Sequence, residues 1–145
     1  MTLDELLTEY ENDMNINQNK LDYESLSTPK LHSKYLRFLM EARGIKVVLE
    51  NSYNELRTLR FKYYRGELTR DILTEKNWQQ YQGTKPMKSE MDEILKGCPI
   101  LAKEKQKIDI SNEKIYALEE MIKQIRARDW NIRNAIEFKK FQAGA

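Results

Sequence analysis

Between Thr28 and Gly66 apolar residues recur at alternating steps of four and three: Leu31, Tyr35, Phe38, Ala42, Ile45, Leu49, Leu56, Leu59 and Tyr63, with Ser52 the one polar member of the series. A seam held for about four and a half heptads is the mark of a helix that packs lengthwise on another helix. Thr28 with Pro29 predicts its start, because proline at the first helical position loses an N–H that has no partner there in any case. Gly44 is the one weak interior residue, and Gly66 stands where a left-handed cap ends a helix. At about 1.5 Å per residue, the stretch 29–65 predicts a rod of about 55 Å. Such a rod needs a partner helix to cover its seam.

Pro99 opens a second long helix, expected over 99–141, whose seam runs Leu101, Ile108, Ile115, Leu118, Ile122, Ile125, Ile132 and Ile136, with Glu104, Ser111 and Asp129 as polar members. Between the two rods, Thr69 caps a short helix reaching Trp78, QGTKP (82–86) reads as a turn, and MKSEMDEILKG reads as a short helix ending at Gly97. At the start, Thr2 and Glu5 form a capping box for a helix over 2–14. The stretch NINQNKLDYESLS (15–27) has no sustained period and reads as a connector held by Ile16, Leu21 and Tyr23. Five glycines and three prolines leave little material for the turns of a sheet protein.

The expected fold class is therefore all-α: two long coiled-coil-like helices with short connecting helices, assembled as a homo-oligomer. One helical domain over 1–145 is expected, in four segments: an acidic N-terminal helix and connector (1–26), a long basic helix (27–66), short helices and a loop (67–98), and a long C-terminal oligomerisation helix (99–145).

The net charge of +2 conceals a segregation of charge. Residues 1–26 carry seven acids and one base, whereas residues 27–70 carry ten bases and four acids. An anionic partner is expected to meet the second block. Other classes fall on composition. One cysteine, Cys98, makes no internal disulfide, and one histidine, His32, supplies no histidine-based metal site. No apolar run approaches a membrane span, and the start, with Asp4, Glu5 and Glu9, lacks the profile of a signal peptide, so a cytoplasmic protein without membrane contact is expected. Phosphate-cradling glycine loops, HExxH and CxxC are absent, Cys98 has no histidine near it in sequence, and adjacent acids such as Asp92 and Glu93 point about 100° apart on a helix. An enzyme is not expected.

The segment RTLRFKYYRGELTR (57–70) interleaves Arg57, Arg60, Lys62, Arg65 and Arg70 with Phe61, Tyr63 and Tyr64. On a helix turning 100° per residue, Leu56, Leu59 and Tyr63 form the seam, while Arg57, Phe61, Tyr64 and Arg65 fall opposite, with Arg60 and Lys62 on the flanks. Rings held away from a core among arginines suit single-stranded nucleic acid, since bases stack on rings and guanidinium groups neutralise phosphates. Arg57, Arg60, Phe61, Lys62, Tyr64 and Arg65 are the candidate contacts. The same pattern also fits a helix packed by a neighbour on each side. The last turns are double-faced too: Ile132 and Ile136 continue the seam, while Ala127, Trp130, Phe138 and Phe141 cluster elsewhere. Another copy of the chain, or the short middle helices of the same chain, would cover the second face.

The stretches LDYESLSTPKLHSKYLRFL (21–39), LRFKYYRGELTRDIL (59–73), NWQQYQGTKPMKSEMDE (77–93) and WNIRNAIEFKKFQAGA (130–145) resemble, in order and spacing, the phage recombination mediators of the UvsY type, above all their cyanophage-like branch. The tyrosine pair with its Arg-Gly sequel and the QYQG-x-KP turn carry that resemblance; the heptads are unspecific. The resemblance implies a ring-like homo-oligomer, hexamer or heptamer, that binds single-stranded DNA, remodels its complex with single-strand-binding protein and loads a RecA-like phage recombinase in the infected host cell, with no cofactor. The family's DNA-binding motif is a basic residue, a spacer, arginine, a hydrophobic residue, a spacer and two tyrosines. Arg60, Phe61, Tyr63 and Tyr64 match it, and Thr58 occupies the first basic position, with Arg57 and Lys62 beside it. Oligomerisation in the family is C-terminal, which here implies Ile115, Leu118, Ile122, Ile125, Trp130, Ile132, Ile136, Phe138 and Phe141. A helical scaffold or adaptor that never touches nucleic acid accounts equally for the seams, but not for the ring-and-arginine segment.

Overall fold

The computed structural model describes residues 1–144. Five helices follow in order: α1 (Leu3–Asp13), α2 (Leu21–Tyr64), α3 (Arg70–Lys76), α4 (Lys88–Lys96) and α5 (Pro99–Gln142), with no strand among the described residues. The all-α class and the two long helices are as expected. No helix among those residues is long and apolar enough to cross a membrane.

Two compact units are distinguished, one formed by Met1–Gly44 with the chain from Asn112 onward, the other by Ile45–Ser111. In the first, α1 begins at the expected capping box: the Glu5 N–H donates to Thr2 Oγ1 at 3.1 Å and the Thr2 N–H to Glu5 Oε2 at 2.9 Å. Its core joins Leu6 with Tyr35, Leu39 and Ala42 of α2 and Leu118, Met121, Ile122 and Ile125 of α5, so both predicted seams meet here. The helix start is a correction: α2 begins at Leu21, and Pro29 lies inside it. Tyr23 and Leu26, placed by the sequence in a connector, are exposed helical residues. An interior proline removes one backbone hydrogen bond and crowds the preceding turn. At that turn the buried Arg128 of α5 donates to the Glu24 carbonyl, to the Glu24 carboxylate and, at 2.9 Å, to Thr28 Oγ1. Arg128, rather than the exposed Asp129, is the polar side chain packed inside.

Tyr35 is fully buried, and its hydroxyl donates to Asp13 Oδ2 at 2.9 Å. Lys34 Nζ lies 2.6 Å from both Asp13 Oδ2 and Glu9 Oε1. Burial, then the bond to Asp13 and its charge, push the Tyr35 hydroxyl well above its ordinary value. Burial works against the Lys34 ammonium, but Asp13 and Glu9 outweigh it and raise it as well. In both groups the folded chain favours the protonated form. The stability they contribute is present below about pH 10 and is lost as pH rises through the raised folded values. Asp13→Asn is expected to lower neutral-pH stability by about 1 kcal/mol. It should also make the alkaline decline shallower, as denaturant titrations at neutral pH and at about pH 10.5 would show. An unchanged alkaline limb would place that titration elsewhere.

In the second unit, Met91 and Leu95 of α4, Cys98, and Leu101 of α5 form a buried cluster on which Tyr53, Leu56, Phe61 and Tyr64 of α2 pack. The helix ends follow local chemistry. Gly66 takes a positive φ of 70°, a conformation that glycine adopts most readily and asparagine next, and the Glu67 N–H returns to the Lys62 carbonyl at 3.0 Å. Asn77 does the same for α3 at φ 58°, ending that helix just before Trp78. Thr69 caps α3 through Ile72, and Gly97 follows α4, as expected.

Candidate nucleic-acid interface

The last three turns of α2 carry all six candidate contacts, and the structure divides them. Lys62 and Arg65 are exposed. Arg57 is half-buried, its guanidinium 3.1 Å from Asp92 Oδ1, and Arg65 Nε lies 3.0 Å from Glu67 Oε1. Such exposed pairs contribute about 0–1 kcal/mol, so a phosphate can displace either carboxylate. Phe61 and Tyr64, expected to stand away from the core, instead pack on the Met91, Leu95, Cys98 and Leu101 cluster. The reason is that α4 and the first turn of α5 lie against the side of α2 that carries Phe61 and Tyr64 together with the seam residue Leu56. This end of α2 is packed on more than one side.

Arg60 differs most from its expected place on a flank. It is only 8% exposed. Its guanidinium carbon lies 4.2 Å from the ring centre of Tyr63, 4.9 Å from Tyr64 and 4.8 Å from Trp78, and its Nη2 donates to the Tyr64 hydroxyl at 2.9 Å. A guanidinium desolvated among three rings gains cation–π attraction that an exposed one does not. The rings also hold one another: Tyr81 lies 5.7 Å from Tyr63 and 5.1 Å from Tyr64, and Trp78 lies 5.6 Å from Tyr63. The Tyr63 hydroxyl donates to the Gln79 carbonyl at 2.6 Å, and that of Tyr81 to the Thr84 carbonyl at 3.1 Å. The arginine-tyrosine motif thus clasps the irregular segment 77–87 against the end of α2.

Cys98 sits under this cluster, almost fully buried, at the start of α5. Burial alone would raise its thiol, but the N–H groups of Leu101 and Ile100, the Tyr64 hydroxyl and the charge of Arg60 outweigh it and bring the thiol below its ordinary value. Burial, with a smaller contribution from Cys98, raises the Tyr64 hydroxyl against the opposing effect of Arg60. Among the described residues no group of three or more potential ligands could hold a metal ion.

Sequence reasoning missed Trp78 and Tyr81 as ring partners and Lys85 and Lys88 as cations beside Phe61 and Arg65. These last four line an open groove of about 300 Å3 with Pro86 and Met91. The QYQG-x-KP turn was the available signal, but nothing local in it says which helix end it folds against.

The residues expected to drive assembly also divide. Leu118, Ile122, Ile125 and Ile132 are buried within the chain, and Ile115 and Ile136 are partly buried. Trp130, Phe138 and Phe141 are 61%, 60% and 78% exposed.

Solved structures share this fold. A crystal structure of the recombination mediator protein UvsY of bacteriophage T4, in its lattice type II, matches with a TM-score of 0.84 at 22% identity, covering 99% of this chain and 98% of that one. The lattice type I form matches with a TM-score of 0.78 at 20% identity, covering 95% and 98%. No curated relative matches the chain. The sequence profile of a family described as the recombination, repair and ssDNA binding protein UvsY matches residues 9–145, nearly the whole length. In sequence over that span, and in fold, this chain belongs to the UvsY family.

Proposed function

We propose that the chain is a phage recombination mediator, active in the cytoplasm of the infected host: it binds single-stranded DNA, remodels the strand's complex with single-strand-binding protein and loads a RecA-like recombinase. The observation that carries this is the concentration of Arg57, Lys62, Arg65, Lys85 and Lys88 around the ring-clasped end of α2, with only weak exposed carboxylate pairs opposing them. Cations neutralise phosphates there, and ring edges and faces offer stacking to unpaired bases. Arg60 acts in this scheme as a positioning residue, since burial removes it from the solvent that a phosphate occupies.

Assembly through the exposed face of α5 multiplies the site. Every subunit that engages after the first meets the same strand at high effective concentration, which turns modest contacts into tight binding. A strand held in one geometry by such a ring weakens a competitor that needs another geometry, provided the binding energies differ between the two states. No catalytic step and no cofactor enter this scheme.

The test is binding of oligo(dT) and of a matched duplex across a salt series, with sizing of the free protein in parallel. Tighter binding to the single strand, falling steeply with salt, is expected. Equal or tighter binding to the duplex overturns the proposal. Arg60→Ala is expected to weaken single-strand binding while leaving its salt slope in place, because the change loosens the clasp and removes no phosphate contact. Loss of about 0.7 of log-log slope would put Arg60 on the phosphate instead.

A further inference from the structure

The groove between the end of α2 and the start of α4 has a composition that the arginine-tyrosine motif does not explain. Phe61 and Met91 are its apolar residues from the core side, Pro86 adds a further apolar wall, and Arg65, Lys85 and Lys88 bring three positive charges with no carboxylate among the lining residues. At about 300 Å3 it lies at the small end of the range of about 300–1,000 Å3 typical of ligand pockets. Arg65 is already stacked here, its guanidinium carbon 5.5 Å from the Phe61 ring centre. Lys85 is placed by the backbone: it follows the segment that Tyr63 and Tyr81 hold, and its Cε lies 4.0 Å from where a Cβ on Gly66 would project. That position, next to the last carbonyls of α2, favours a cation through the negative end of the helix dipole. Lys88 is exposed at the first position of α4.

We infer that this groove takes one nucleotide of a single strand: the base enters beside Phe61 and stacks against the Arg65 plane, while Lys85 and Lys88 neutralise the flanking phosphates. The inference rests on the single-strand reading above and adds to it the residues that touch the strand. Charge and shape both point to this occupant. Three cations without a lining acid select an anion, and a flat ring with a guanidinium over it selects a planar group that a stacked duplex keeps hidden. Glu67, which holds Arg65 in the free chain, is displaced when a phosphate arrives, so the groove opens by exchange of one exposed ion pair.

The full-length protein would be tested with oligo(dT) over a salt series, as wild type, as Lys85→Ala/Lys88→Ala and as Phe61→Leu, with circular dichroism to confirm the helices. The double variant is expected to lose about 0.7 of log-log slope per lysine for each engaged subunit. Phe61→Leu keeps an apolar contact with Met91 and should weaken binding roughly fivefold or more with the slope unchanged. Ultraviolet cross-linking of oligo(dT) to wild type, mapped by mass spectrometry, is expected to mark the peptide containing Phe61. If wild type binds oligo(dT) but the double variant keeps both slope and affinity, or the cross-link maps away from residues 61–91, the groove is not the site and the single-strand reading survives. If wild type fails to bind oligo(dT), that reading falls and the groove falls with it.

Discussion

Trp130→Glu together with Phe138→Glu is expected to break the proposed assembly into smaller species and to cut the proposed single-strand affinity about a hundredfold or more, while the helices stay folded. Trp130, Phe138 and Phe141 follow one another along α5 at helical spacing and stand more than half exposed. Each such ring carries about 150–250 Å2 of surface, so at their exposures the three present about 300–500 Å2, the size of the largest apolar patch on a typical monomer and often a functional one. Charging it should cost the fold little, because none of these side chains belongs to either buried cluster, although Phe138 flanks Leu21 and Ile132 from its half-exposed position. Glutamate at Ile132 would be the wrong test: that side chain is 2% exposed within a single chain and would take the fold with it. Subunits separated by the double change keep the α2 site and lose only the gain of binding one strand many times, so a residual, weaker affinity should persist. Sedimentation with circular dichroism and oligo(dT) titration reads all three quantities. Wild type sedimenting as a monomer at micromolar concentration would remove both the interface and the multivalent scheme.

Arg128→Ala is expected to cost about 3–5 kcal/mol of stability, a large share of what a domain of this size possesses. The side chain is 1% exposed and bonds to the Glu24 carboxylate, the Glu24 carbonyl and Thr28 Oγ1, while Glu24 and Thr28 are themselves largely shielded. Truncation leaves a carboxylate and a hydroxyl without their donor and opens space at the turn before Pro29, where the helix already lacks a backbone bond. Arg128→Met should cost nearly as much although it fills the volume, because the carboxylate is still stranded. Glu24→Gln combined with Arg128→Met should recover a good part of the loss, since a neutral amide is cheaper to bury than an unpaired charge. Chemical denaturation of wild type, Glu24→Gln, Arg128→Met and the double variant closes the cycle. A double variant as unstable as Arg128→Met alone would show that packing, and not the stranded charge, sets the cost.

The division of the α2 contacts changes what mutations there mean. A loss of DNA binding on replacing Arg60, Tyr63 or Tyr64 reports on the clasp that places segment 77–87. Under the proposed strand contact, a loss on replacing Lys62, Lys85 or Lys88 is expected to report on the strand itself. Salt slope separates the two groups, because only a lost phosphate contact alters the number of counterions released.

Much of the helical layout was legible in the sequence because its signals are local. The Thr2–Glu5 box, the Thr69 cap, the left-handed Gly66 and the restart at Pro99 act within a turn or two of backbone and are found where the residues put them, while the first seam is interrupted at Ile45, which is 53% exposed. What lay beyond reach depended on residues distant in the chain. Pro29 reads as a helix start until Arg128, nearly a hundred positions later, bonds to the turn before it. Periodicity showed that the end of α2 has two non-polar faces, yet not that α4 and the start of α5 cover the one with Phe61 and Tyr64. Nor could it show that Trp78 would close over Arg60 and turn an expected phosphate contact into a buried anchor. Spacing along a helix sets the direction in which a side chain points; what it meets there is decided only when the other helices arrive, because burial and pairing belong to the neighbour as much as to the residue.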